Sequence, residues 1–167
     1  MMTLALVSLL LAIIGMAVML RGGVPDSVSG LVYNLSDTKQ WWWSVWLSAV
    51  AITVMVPLMG CLGDLGCLGW LTSICLIGAA VTPIIKQDTR MMHNICGIAA
   101  GVLSQLCVLL LSPLWLLAWL ILVPLVGGCF ASLNDAEERP SLLHGKTVFE
   151  AEVTCSVTVY GSLLFSV

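Results

Sequence analysis

A chain of 167 residues that is 60% hydrophobic and only 9% charged, with mean hydropathy +1.08, carries too few charges to coat a water-soluble fold. Lipid is the solvent this composition suits. The formal charge of −3 and the lack of any basic cluster leave nothing to neutralise phosphates, so no nucleic-acid partner is expected.

Six apolar stretches are predicted to cross a membrane, near 2–20, 41–59, 67–85, 93–112, 114–132 and 148–167. The first is no cleaved leader by its pattern: no basic residue precedes it, and Arg21 follows it directly. About 20 apolar residues at 1.5 Å each cover the roughly 30 Å of hydrocarbon. Arg21-Gly22-Gly23 ends that stretch, and a polar loop with Pro25, Asp26, Ser27, Ser29, Asn34 and Asp37 follows. The second span opens with Trp41, Trp42, Trp43 and Trp46, which are expected as interfacial anchors because indole has an apolar body and a polar N–H.

Gly60 to Gly66 is a tight connection to span three, and 86–90 is a short polar turn to span four. Ser112-Pro113 breaks span four from span five. The most polar stretch, Asn134 to Lys146, leads into the last span. The clean apolar part of that span begins only after Glu152, and fifteen residues give about 22 Å. The helix is therefore expected to start earlier, with Glu150 and Glu152 in its first turns, where carboxylates suit the positive end of the dipole. The expected architecture is all-α, one domain over 1–167, a single polytopic bundle of six transmembrane helices with antiparallel sequential neighbours.

All six basic residues lie in alternate gaps: Arg21 and Lys39, then Lys86 and Arg90, then Arg139 and Lys146. The positive-inside rule puts loops 21–40, 86–92 and 133–147 in the cytoplasm and both termini outside. Without an organelle address, a bacterial inner (plasma) membrane is the expected location.

Gly97-x-x-x-Gly101 with Ser104 one turn on is a small-residue stripe of the kind that lets helices approach closely, within the chain or between copies. Gln105 beside it is an amide inside an apolar span, so it is expected to face the bundle and find partners. The seven cysteines show no C-x-x-C spacing and no metal-ligand grouping.

One constellation has chemical potential. His93 and Asn94 open span four, Glu150 and Glu152 open span six, and the first loop carries Tyr33 and Asn34; Asp88 and His144 lie in the other loops on the same predicted face. Imidazole with carboxylates can bind a metal or perform acid–base catalysis, so His93, Glu150 and Glu152 are candidate catalytic residues. No H-x-x-x-H, H-E-x-x-H or G-x-S-x-G motif accompanies them, and the pattern names no cofactor. No row of intramembrane charges marks a proton or ion pathway.

Two segments carry a resemblance. The first loop reads Val24-Pro-Asp-Ser-Val-Ser-Gly-Leu-Val-Tyr33, and span four opens Met92-His93-Asn94-Ile-Cys-Gly97-Ile-Ala-Ala. Together they resemble the six-span superfamily that includes the Frag1, damage-regulated autophagy modulator and Sfk1 proteins and its small bacterial relatives of unknown function. Val28-Ser29 matches an Ile-Ser pair of that family, with Gly30 where it has Asp. His93 matches its histidine, and Gly97-Ile98-Ala99 falls near its Gly-Ala position. The resemblance implies six helices and a lipid-related role, with the first loop on the non-cytoplasmic side, opposite to the charge rule.

The expected function is a lipid- or partner-binding accessory membrane protein. Its partners would be membrane lipids and a membrane protein or a second copy. An intramembrane lipid hydrolase or transferase using His93 with Glu150 or Glu152 is the alternative, and a small pore or transporter the third.

Overall fold

The computed structural model describes residues 2–21, 28, 30–85, 90–121 and 146–165, and every regular element among them is helical. The long helices are α1 (Met2–Leu20), α2 (Asp37–Leu62), α3 (Gly66–Ile85), α4 (Arg90–Leu111) and α5 (Lys146–Phe165). Short 3-10 turns occupy Gly30–Asn34, Gly63–Leu65 and Pro113–Leu117. Among the described residues, four stretches are long and apolar enough to cross a membrane: Met2–Leu20, Asp37–Ile85, Arg90–Leu111 and Val148–Phe165. These helices are compatible with an integral membrane location.

Local chemistry sets the helix ends. Ser36 is extended (φ −65°, ψ 155°) and Asp37 stands in the first turn of α2, where its charge suits the helix dipole. At the other end Gly63 has φ 56°, a left-handed conformation that a side chain would strain. Ser112 is extended (φ −160°, ψ 91°) because the Pro113 ring disfavours helical geometry in the residue before it, and α4 stops there. The predicted span 114–132 therefore opens in a 3-10 turn over Pro113–Leu117, is helical at 118–121, and otherwise lies outside the described residues. Loop 133–145, Lys86 and Asp88 lie outside them too, as do Asp26, Ser27 and Ser29.

The 49-residue stretch 37–85 turns back on itself at Gly63–Leu65. Leu58 packs against Gly69 next to the turn, while Trp43 and Leu47 share a buried cluster with Ala80 far from it. The same register logic orders the other helices. Ser8 bonds the Val50 carbonyl and Trp46 bonds the Leu11 carbonyl, so α1 and α2 are antiparallel. Ala79 meets His93 and Thr72 meets Cys107, so α3 and α4 are antiparallel. Tyr160 meets Ser8, and Glu152 meets Val28 just beyond α1, so α5 runs against α1. Consequently the end of α1 at Arg21 and the starts of α2, α4 and α5 gather at one end of the bundle. We call this the basic end, since Arg21, Lys39 and Arg90 belong to it.

Two buried clusters hold the helices together. Val32, Trp43, Leu47 and Ala80 pack at the basic end. Val54, Leu58, Cys107, Val108, Val159, Tyr160 and Leu163 join α2, α4 and α5 toward the other. In lipid, apolar contact between helices gains little over contact with acyl chains, so close packing and interhelical hydrogen bonds decide the arrangement. The Trp46 indole shows both. It lies across Gly15, where an added Cβ would sit 2.0 Å from the ring, and its N–H donates to the Leu11 carbonyl at 2.8 Å.

Candidate functional site

A proline builds the centre of the site. Pro83 lies inside α3 and has no N–H, so the carbonyl four residues earlier, at Ala79, loses its helical donor. A buried carbonyl left bare in a lipid environment costs several kcal/mol, order of magnitude. Two side chains take up the duty. The Thr82 hydroxyl donates at 3.2 Å and the His93 Nδ1 lies 2.8 Å away. A carbonyl can only accept, so Nδ1 carries a proton and the tautomer is fixed. His93 is 1% exposed.

Aromatic rings enclose this imidazole. Tyr33, from the Gly30–Asn34 turn, meets it edge-on at 5.3 Å between centroids. Trp43, from α2, lies tilted at 6.4 Å and is 5% exposed. The Arg90 guanidinium stands 5.1 Å above the Tyr33 ring, a cation on a π face. Burial pushes the Tyr33 phenol above its ordinary pKa of 10.0, and Arg90 pulls it weakly the other way, so the group is a neutral O–H donor at physiological pH. Neither the Tyr33 O–H nor the Trp43 N–H has a hydrogen-bond partner among the described residues, although both atoms are buried.

The first loop is tied into the bundle at this end. Val32 is fully buried against Trp43 and Leu47. The Val28 N–H donates to a carboxylate oxygen of Glu152, across 124 positions of sequence. Since α5 starts at Lys146, Glu150 and Glu152 do fall in its first two turns, and both are half-buried. Of the three candidate catalytic residues, His93 is thus committed to Ala79 through Nδ1 and Glu152 to the first loop through one oxygen. Among the described residues, no group of three or more His, Cys, Asp or Glu side chains is placed to hold a metal ion.

Gln105 forms a second polar centre, deeper in the bundle. Its carbonyl oxygen accepts from the Trp119 N–H at 2.9 Å and from the Thr158 hydroxyl at 3.1 Å. Its amide nitrogen reaches Thr158 at 3.1 Å and Ser104 at 3.3 Å. The amide therefore joins α4, α5 and the helical turn after Pro113, as its position in an apolar span leads one to expect. A cavity of about 500 Å³ opens beside it, lined by Gly101, Gln105, Trp119 and Cys155 with apolar neighbours.

Other glycines than those of the stripe make the tight contacts among the described residues. No described residue comes within 4 Å of a Cβ built on Gly97 or Gly101, whereas Gly15, Gly69 and Gly161 are in tight contact with other segments. The tryptophans also divide. Trp41 and Trp42 are exposed and meet edge-on at 5.1 Å. Trp43 and Trp46 are built into the interior instead. Sequence reasoning missed Tyr33 and Arg90 as a pair, Pro83 and Gly15. The signal for Pro83 was present: any proline within a span frees a carbonyl four residues back.

Compared with family models, with curated proteins and with solved structures, the chain matches none.

Proposed function

We propose that this chain is a multi-pass protein of a bacterial inner membrane that binds a lipid or a membrane partner at the basic end of its bundle, without chemical turnover. The observation that carries this reading is the docking of the Gly30–Asn34 turn. A plain connection between two spans stays in water, but here Val32 is buried and Tyr33 closes over His93 beneath Arg90. Aromatic rings beside a cation at a helix-bundle end suit the headgroup level of a bilayer.

The reversal within 37–85 supports counting that stretch as two crossings, and the segment 114–132 supplies the sixth in this reading. The basic end faces the cytoplasm by its charges and both termini face outward. Membership of the six-span superfamily resembled by the first loop and by His93 belongs to the same proposal and favours a lipid-related role.

A second reading draws on one specific observation. The bond from Nδ1 to Ala79 fixes the tautomer in which the other ring nitrogen of His93 is the base, as an intramembrane hydrolase or transferase would need. Native mass spectrometry of the protein extracted from its membrane separates the two. Lipid retained through detergent washing and unchanged after incubation is the expected result. Conversion of that lipid, lost in His93→Ala, would replace binding by catalysis.

A further inference from the structure

The geometry points to a phosphate-ester headgroup of a membrane lipid as the ligand of the Tyr33, Trp43 and Arg90 cluster. This rests on the lipid-binding reading and narrows it to one chemistry. The argument begins with the orphaned groups. Trp43 is 5% exposed, yet its N–H meets no acceptor among the described residues, and the buried Tyr33 O–H meets none either. Both rings flank His93, and Arg90 lies over the Tyr33 face. An indole N–H can only donate, and a guanidinium offers five donors and no acceptor. Three neighbouring groups thus present donors that no acceptor among the described residues satisfies. A species rich in acceptor oxygens and negatively charged completes the set, and a phosphate ester is both.

Position selects the source. The cluster sits at the basic end of apolar helices, with Trp41 and Trp42 exposed nearby on the first turns of α2. That is the depth at which lipid phosphates are concentrated. The two donor atoms are inaccessible to solvent, with Val32 of the Gly30–Asn34 turn packed on Trp43. The headgroup therefore enters as this turn lifts, and its phosphate takes the hydrogen bonds that the closed form leaves unmade.

The test uses the full chain in detergent micelles, titrated with dioleoyl phosphatidic acid, with dioleoylglycerol and with inorganic phosphate, bound lipid being counted by native mass spectrometry. Wild type should hold phosphatidic acid and release dioleoylglycerol and inorganic phosphate. Trp43→Phe and Tyr33→Phe each leave a benzene ring and remove one donor, and each should weaken phosphatidic acid binding about tenfold, the usual value of one hydrogen bond to a charged acceptor. A melting temperature measured on each variant shows whether it is folded. Equal binding of the two lipids, or undiminished phosphatidic acid binding by both folded variants, overturns the phosphate assignment and leaves lipid binding standing. Tight binding of inorganic phosphate that displaces the lipid overturns the lipid as its source. Failure of wild type to hold either lipid removes the broader reading as well.

Discussion

His93 stands where the N–H missing from Pro83 would have donated. The proline strips the Ala79 carbonyl of its helical partner, and the imidazole of the neighbouring helix restores a donor at 2.8 Å. The end of α3 is thereby tied to the start of α4, and a titratable ring is buried among aromatics for a structural reason before any functional one.

That relationship predicts a coupling. His93→Ala should cost about 2–3 kcal/mol, from the lost side-chain volume and from leaving the Ala79 carbonyl to the longer Thr82 bond alone. In a Pro83→Ala background the helix supplies its own N–H, so the same change should cost about 1 kcal/mol less. Unfolding in mixed detergent micelles for the four proteins of this cycle measures the difference, and strict additivity would refute the substitution of one donor for the other.

Gly15 and Trp46 should behave as a matched pair. A Cβ at position 15 would fall inside the indole, so Gly15→Ala should destabilise by about 1–3 kcal/mol through overpacking. Trp46→Leu removes the obstruction, and Gly15→Ala should then be close to neutral. The unfolding midpoint of the double variant decides it.

Gln105→Leu should leave the Trp119 N–H without its acceptor and lower stability by about 1–2 kcal/mol, the range for polar contacts between helices in lipid. Trp119 fluorescence should shift with it, since the indole loses a hydrogen bond. Thr158→Val should produce a smaller loss, because the Trp119 bond survives.

Topology can be read with thiols. Native Cys61 and Cys67 are exposed on either side of the Gly63–Leu65 turn, opposite the basic end. An impermeant maleimide added to intact spheroplasts should label them. In a cysteine-free background, Lys39→Cys and Arg90→Cys should react only after lysis. Labelling of both sets from one side would break the proposed threading, and the reverse pattern would favour the orientation implied by the superfamily.

The Tyr33 phenol gives a pH prediction with a definite sign. Its pKa is raised by burial, so the folded state favours the neutral form. The contribution to stability is complete below 10.0 and disappears as pH rises through the higher folded-state value. The alkaline absorbance titration of wild type minus that of Tyr33→Phe should place the ionisation above 10.0.

How much of this was legible depended on whether one residue or a register carried the information. The helices at 2–20 and 90–111 follow from unbroken apolar length, and the partnering of Gln105 follows from the cost of an amide in hydrocarbon. The break at Pro113 was readable, whereas the 3-10 turn behind it was not, because an apolar run looks alike in either helix type. Gly15 is a single glycine in a greasy run, and its reason for being small sits on another helix. The stripe at Gly97 and Gly101 has the motif but no described neighbour, so spacing alone did not tell which glycines the chain uses against itself. Trp43 and Trp46 belong to the same aromatic cluster as Trp41 and Trp42, and helical rotation sends them inward.

The carboxylate of Glu152 reaches the backbone of Val28, a bond between parts of the chain that leave the ribosome far apart in time. At about 5–20 residues per second, the first loop waits several seconds for its fastener. Until α5 inserts, the turn bearing Tyr33 lacks one of its anchors, so the basic end is fastened last. A nascent chain arrested before Glu152 would hold α1 to α4 yet leave the Val28 N–H without this carboxylate.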